Sequence, residues 1–353
     1  MKAKDCNPLV ELTRGKLVES IHFGAFVVMD SHGSILASEG NPDLLTYPRS
    51  SMKPFQALSF IEQEGAEAFG FSLEEIALLC ASHSGTDSHK QVLEGMHQKI
   101  GTHEEDLACG VHWPSDEKTR IAMQKAGDSP TAFRHNCSGK HTGMLAYARL
   151  CGWPIEDYLN PKHPVQVRIR EVVADMVEMD PDEMILGVDG CSAPVYGIPL
   201  RKMAFAIAKL TDPFAQGKNR AIACRMITTA MRSYPEMIAG PGKFDTELML
   251  TAEGSVISKG GAEGYQVIGI MPGVIEDNAP GIGIAIKISD GDAHGRARTA
   301  IGIYLLEELG ILEKEKLEKL QQFSFGPLLN WRKLVIGEMR PAFSAAHLEE
   351  IWY

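Results

Sequence analysis

Ser50-Ser51-Met52-Lys53 sets a serine hydroxyl three residues ahead of a lysine amine, with Pro54 immediately after. Proline suits the first turn of a helix, and residues three apart on a helix share a face. That spacing can bring the Lys53 amine to the Ser50 hydroxyl, where a neutral amine accepts the proton as the oxygen attacks a carbonyl carbon. Alone, the pattern reads more simply as an N-cap serine followed by a solvated lysine. A free lysine has pKa about 10.4, so a lysine base at neutral pH needs a fall of roughly three units, about 4 kcal/mol. Burial pushes that way, and so does a second cation sharing the cleft.

Further polar groups recur along the chain. Ser82-His83-Ser84-Gly85 follows an apolar stretch, Ile76 to Ala81, and Lys259-Gly260-Gly261 ends an apparent strand from Ser255 to Lys259. Serine-lysine, then a hydroxyl-bearing loop, then lysine-glycine on a strand is the order used by serine β-lactamases and penicillin-binding proteins. A different cluster runs from Arg134 to Gly143 and contains His135, Asn136, Cys137, Lys140 and His141. It is matched downstream by Asp189-Gly190-Cys191-Ser192. Two cysteines with histidines and an aspartate nearby are ligands suited to zinc, although the spacing fits no standard zinc finger. The plainer alternative makes Cys137 and Cys191 small buried residues. Asn136-Cys137-Ser138 also matches a glycosylation acceptor, which a cytoplasmic chain would not use.

The elements that must hold these groups divide into strands at the ends and helices in the middle. Strand patterns cover Leu9 to Val18, Phe23 to Met29 and Ser34 to Ser38 around an Asp30–Gly33 turn. Others cover Met184 to Val188, Ser255 to Lys259, Tyr265 to Met271 and Gly281 to Ser289. Ser72 and Glu75 form a capping box ahead of Ile76, and helical patterns follow at Lys90–Ile100, Gly143–Leu150, His163–Met179, Leu200–Leu210 and Asn219–Tyr234. The expected fold class is α+β: one antiparallel sheet built from the N- and C-terminal segments, with a helical lobe between them and a helix from Ala293 to Leu309 covering the sheet. A single composite domain results, its sheet lobe near 1–49 and 243–310, its helical lobe near 50–242 and a helical tail at 311–353. Ala239-Gly240-Pro241-Gly242 is the candidate hinge.

Composition narrows the function. The 353 residues are 44% hydrophobic and can bury a large core. A net charge of −11 offers no basic field for nucleic acid or anionic membrane surfaces, so a small-molecule substrate is expected. Met1-Lys2-Ala3-Lys4-Asp5-Cys6 lacks the apolar run of a signal peptide and no stretch has the length of a membrane span, which leads us to expect a cytoplasmic protein. Seven irregularly spaced cysteines do not suggest a disulfide framework.

Together, Arg49 to Gln56, Cys80 to Gly85, Arg134 to His141 and Gly187 to Cys191 resemble the rhizobial-type L-asparaginases, the asparaginase II family. The resemblance runs from Val10 to beyond Gly295. It implies a fold related to serine β-lactamases and glutaminases, a homodimer, and hydrolysis of L-asparagine to L-aspartate and ammonia. It further implies two serine-lysine pairs, Ser50 with Lys53 and Ser82 with Lys259, and a zinc ion held by Cys137, Lys140 and Cys191. Residue chemistry alone would nominate His135, His141 or Asp189 ahead of Lys140, because a lysine ligand must first lose its proton. For the substrate, Asp189 suits the α-amine, and Arg49 or His141 suits the α-carboxylate. Competing readings are a glutaminase or other small-amide hydrolase, a peptidoglycan-directed relative, and a non-catalytic amide or zinc sensor.

Overall fold

The computed structural model describes residues 1–345. The chain opens with β1 (Asn7–Arg14), β2 (Leu17–Asp30), β3 (Ile35–Glu39) and β4 (Leu45–Thr46). Helices α1 (Lys53–Ile61), α2 (Gly65–Phe69), α3 (Leu73–Leu79), α4 (Asp87–Ile100), α5 (Glu117–Ala126), α6 (Ser138–Cys151) and α7 (Pro164–Val177) follow. Next come β5 (Ile185–Val188), β6 (Pro194–Pro199), α8 (Leu200–Thr211), α9 (Lys218–Ser233), α10 (Pro235–Ile238) and α11 (Phe244–Thr251). β7 (Val256–Gly261), β8 (Tyr265–Ile270), β9 (Ile282–Ile288), α12 (Arg296–Glu308), α13 (Lys314–Lys319), β10 (Gly326–Leu329) and β11 (Val335–Pro341) complete it.

Two compact units result. The first comprises Met1–Ser51, Ile198–Asp212 and Leu248–Tyr353, described as far as Ala345. Its sheet is antiparallel, in the order β10-β11-β1-β2-β9-β8-β7, with β3 also on β2. β2 makes this possible by length: Leu17–Gly24 pairs with β1, and Gly24–Asp30 pairs with β9 on one edge while Phe26–Met29 pairs with β3 on the other. The expected β2–β3 hairpin is present. Asp30 Oδ1 accepts from the His32 and Ser34 amides at 3.0 and 2.8 Å, an aspartate turn that caps it.

β9 reads Ile-Gly-Ile-Ala-Ile-Lys-Ile and is buried throughout, as a strand covered on both faces must be. Its alternation puts isoleucines on one face and small residues beside Lys287 on the other. A Cβ on Gly283 would lie 1.9 Å from the Ala204 carbonyl oxygen, so the glycine is what lets α8 seat against the sheet. α8 therefore belongs to this unit, although its place in the chain had grouped it with the helical lobe. Two further expectations are corrected. The single strand from Leu9 to Val18 is instead β1 and the start of β2, because Gly15 turns the chain at φ +56° and pairs Arg14 with Leu17. Among the described residues the tail beyond 311 holds α13 and a 3₁₀ turn at Gln321–Phe323 and then the β10–β11 hairpin, since β1 offers an open edge on which β11 completes its hydrogen bonds. Local propensity carries no trace of such an edge. The part of the expected tail past 345 lies outside the described residues.

The second unit, Met52–Gly197 and Pro213–Glu247, is helical apart from β5 paired with the first part of β6. Every residue of α1 is buried, and α3, α6, α7 and α9 pack around it. α3 starts on the expected capping box: Ser72 Oγ accepts from the Glu75 amide while the Glu75 carboxylate accepts from the Ser72 amide. α6 is buried from Ser138 to Ala148, and a Cβ on Gly139 would lie 2.1 Å from the Leu78 carbonyl oxygen. That glycine brings the start of α6 against the end of α3, where the polar groups gather.

Candidate functional site

In the second unit, Lys53 is the first residue of α1, following a tight 3₁₀ turn at Arg49–Met52, and is 1% exposed. Its Nζ lies 2.5 Å from the Ala81 carbonyl oxygen, 2.9 Å from Ser82 Oγ and 3.4 Å from the Asn136 carbonyl oxygen. Two of these three partners can only accept. Nζ donates to all three, and the Ser82 hydroxyl is the one partner that also carries a proton of its own. Ala81 lies just past the C-cap of α3, so Lys53 meets the carbonyl of a residue that has already left the helix. Ser82 is held by its own amide, which donates to the Ile238 carbonyl at 2.8 Å.

The next residue, His83, is buried and locks the loop. Its Nδ1 accepts from the Gly85 amide at 3.1 Å, so Nε2 carries the proton and donates to Ser138 Oγ at 2.8 Å. Burial, and then the neighbouring His89 and Lys53, hold its pKa well below the usual imidazole value, and the ring stays neutral.

The cysteine-lysine group assembles beside this loop. Cys137 sits at the N-cap of α6, Lys140 follows at the helical spacing of three, and Cys191 occupies the turn joining β5 to β6. In that turn the Asp189 amide donates to the Ala193 carbonyl and the Ser192 amide to the Asp189 carbonyl, both at 2.9 Å. Cys137, Lys140 and Cys191 are 5%, 4% and 2% exposed, and Lys140 Nζ lies 3.0 Å from Cys191 Sγ. A hydrogen bond with Cys191 outweighs burial and holds the Cys137 thiol well below its ordinary pKa, with the Lys53 and Lys140 charges adding to the effect. Burial disfavours the Lys140 ammonium, yet Cys191 and Cys137 outweigh it and raise its pKa. Nearby Cys109 behaves oppositely: burial, and the two neighbouring thiols, push it up to about 12.

Among the described residues no group of three or more His, Cys, Asp or Glu side chains converges as a metal site. What converges is two thiols and an amine. Tetrahedral zinc with usual bond lengths would hold sulfur and nitrogen about 3.6 Å apart. Against the 3.0 Å between Lys140 and Cys191, a small opening of the pair accommodates the ion. The donor set therefore fits zinc with one position left over.

The other anticipated residues are placed as follows. His141 is fully buried with Nδ1 2.7 Å from the Tyr158 hydroxyl, and burial lowers its pKa to about 4. Its Nε2 has no hydrogen-bond partner of good geometry, although Cys191 is near enough to oppose that shift. A neutral buried ring is a poor mate for a carboxylate. Asp189 is half-buried and its charge helps raise the Lys140 pKa. In the first unit, Arg49 adopts φ +53° and its Nη1 lies 4.0 Å from Glu263 Oε1. Ser51 Oγ donates to the Lys259 carbonyl at 2.9 Å, which ties the turn bearing half-buried Ser50 to β7. Of the two adjacent serines, Ser51 is thus structural. The side chain of Lys259 is 1% exposed, and its Nζ donates to the Gly260 carbonyl at 2.7 Å.

Sequence reasoning overlooked Asn136 as a carbonyl facing Lys53 and passed over His112 entirely. No local motif marks either one. His112 lies 24 residues from Asn136, and only folding joins them.

No curated protein matches the chain. Solved structures similar to it include one described as "Probable glutaminase from Bacillus subtilis complexed with 6-diazo-5-oxo-L-norleucine". It is 12% identical, with 82% of this chain and 84% of that one covered and a TM-score of 0.39. A Bacillus glutaminase crystallised in 4.3 M NaCl is also 12% identical, over 82% and 91% of the two chains, at a TM-score of 0.35. The sequence profile of L-asparaginase II matches residues 10–341, from β1 to the end of β11 and across every motif described above. The chain belongs to the L-asparaginase II family and is an L-asparagine amidohydrolase.

Proposed function

We propose that hydrolysis proceeds by serine-lysine covalent catalysis, with Ser50 as nucleophile, Lys53 as its base, and Ser82 and Lys259 as the second pair. What supports serine-lysine chemistry is the 2.9 Å contact between Lys53 Nζ and Ser82 Oγ, which sets a lysine amine on one of the two serines; Ser50 as the nucleophile with Lys53 as its base rests on their spacing of three and on the family resemblance. Ser50 Oγ attacks the side-chain amide carbon of L-asparagine while the Lys53 amine takes the hydroxyl proton. The proton passes through Ser82 to the departing nitrogen, the C–N bond breaks, and ammonia leaves an aspartyl ester on Ser50. Water then adds to the ester carbonyl, and L-aspartate is released as the proton returns to Ser50. Backbone amides near Ser50 and on the Lys259 strand are the candidate oxyanion donors. Asp189 pairs with the α-amine and Arg49 with the α-carboxylate.

Cys137, Lys140 and Cys191 would hold zinc, supported by the convergence of two thiols and an amine in one buried cluster. When bound, zinc supplies a Lewis-acid contact that orients the substrate, its charge largely offset by two thiolates. To serve as a ligand Lys140 would have to give up a proton that the two thiols hold more tightly than usual, whereas the Cys137 thiol, already depressed, would give up its own easily. A reducing, cytoplasmic setting suits ligands that must remain thiolates, and the family resemblance supports a homodimer. Among the described residues no helix is long and apolar enough to cross a membrane.

The test is ammonia release from L-asparagine and L-glutamine by the purified protein and by its Ser50→Ala, Ser82→Ala and Lys53→Ala variants. We expect asparagine turnover that collapses in all three. One methylene is worth about 1–3 kcal/mol in a pocket, so a glutamine rate within tenfold of the asparagine rate would point instead to a broad amidase. Trapping of an acyl adduct on a residue other than Ser50, seen by mass spectrometry, would overturn the nucleophile assignment.

A further inference from the structure

The geometry points to His112 as a positioning residue that acts on Lys53 through Asn136, an inference that rests on the serine-lysine reading. His112 sits half-buried in the irregular segment between α4 and α5. Its Nδ1 lies 2.7 Å from the Trp113 carbonyl oxygen, which can only accept, so Nδ1 carries a proton. In the neutral ring Nε2 then offers a lone pair, and the Asn136 amide donates into it at 3.1 Å. The Asn136 side-chain oxygen is also close to Nε2, at 3.2 Å.

A second imidazole completes the arrangement. The rings of His112 and His135 lie 4.3 Å apart, and His135 Nδ1 accepts from the Cys137 amide at 3.0 Å. The Asn136 amide belongs to the peptide plane before its Cα, and the Cys137 amide to the plane after it. The carbonyl of Asn136 shares that second plane and faces Lys53 Nζ at 3.4 Å. Each histidine therefore fixes one of the two planes flanking Asn136, and together they aim a carbonyl at the amine. The Asn136 carbonyl, 3.4 Å from Nζ, is the one of the three partners that the two histidines position, so its displacement is how they would let Nζ drift from Ser82. Small displacements of a catalytic group are costly, about a hundredfold per ångström in unfavourable cases.

Two variants of similar size separate this role from simple packing. His112→Gln keeps an acceptor near the Nε2 position, whereas His112→Leu removes it. We expect His112→Leu to lower kcat for L-asparagine about tenfold or more with KM within about twofold, and His112→Gln to restore most of the loss. Amide exchange at Asn136, followed by NMR, should quicken in His112→Leu and stay slow in His112→Gln. Leu and Gln variants of equal kcat, or an Asn136 amide equally protected in both, would overturn the inference. If His112→Leu does not fold, His112→Gln decides: a kcat close to wild type with a protected Asn136 amide upholds the role, and a tenfold fall with that amide still protected overturns it. A wild-type protein without asparagine turnover would instead strike the serine-lysine reading, and this inference with it.

Discussion

Lys53 and Lys140 open neighbouring helices in one unit, are almost equally buried at 1% and 4% exposure, and differ in what they touch. Around Lys53 the three closest partners are neutral oxygens, two carbonyls and a hydroxyl, with the Cys137 thiol a further neighbour. Around Lys140 they are the thiols of Cys191 and Cys137, whose interaction with the ammonium overrides the cost of burial and raises its pKa. Burial is therefore not what divides a prospective base from a prospective ligand. An amine facing neutral oxygens can pass a proton to and from a hydroxyl. An amine facing thiols is one member of a charged cluster, and only a cation competing for the same sulfurs displaces its proton. Cys137 joins the two regions, since both ammonium groups help to depress its pKa.

Variants that attack one lysine and spare the other are the sharpest tests. Lys53→Met should lower kcat by about a thousandfold, in the range for a lost general base, while zinc content measured by elemental analysis stays unchanged. Loss of zinc in that variant would erase the distinction between the clusters. Ser50→Ala retaining more than about a tenth of wild-type kcat would be equally damaging to the nucleophile assignment. Cys191→Ser should do the reverse and weaken zinc binding by about a hundredfold or more in a competition titration, since even outer-shell partners of metal ligands cost 10–100-fold.

Gly139→Ala tests the scaffold beneath both regions. Its new Cβ would meet the Leu78 carbonyl at 2.1 Å, so we expect a loss of about 3 kcal/mol in urea unfolding, at the upper end for overpacking. Zinc affinity should fall with it as α6 shifts; an unchanged midpoint would mean that α6 does not need this close approach.

The smallest effect is a pH dependence from His97, which braces α6 through Thr142 Oγ1 at 2.9 Å and whose pKa burial lowers to about 4. Between that value and the free value of 6.5 the unfolded chain binds more protons, so stability rises with pH across this window. The contribution is complete above 6.5 and drains away as pH falls towards 4. His97's own share of the cost of going from pH 7.5 to 5.5 should be about 1 kcal/mol, so His97→Gln should lessen the slope in denaturant titrations by that amount while other buried histidines such as His141 keep the rest.

Much of this was legible before folding, and the limits are instructive. Strands β7, β8 and β9 and helices α4, α7, α8 and α9 follow their expected boundaries within a few residues, because periodicity and caps are local. Ser50 and Lys53 stood out because they lie three residues apart. Lys140 could be nominated only through family resemblance, since nothing local says that the start of α6 meets the β5–β6 turn. The hydrogen bond between Lys53 and Ser82 spans 29 residues, and the sequence had suggested different partners for both.

By itself, then, the sequence determined the residue types able to do the chemistry, the α+β succession of elements and the family, all of which depend on neighbours along the chain. Tertiary structure decided which amine meets oxygen and which meets sulfur, that Ser51 rather than Ser50 is tied to β7, and that two histidines aim one carbonyl. Those outcomes depend on glycine-permitted close approaches and on turns that bring distant backbone together. The electrostatic character of a buried group is set by what packs against it.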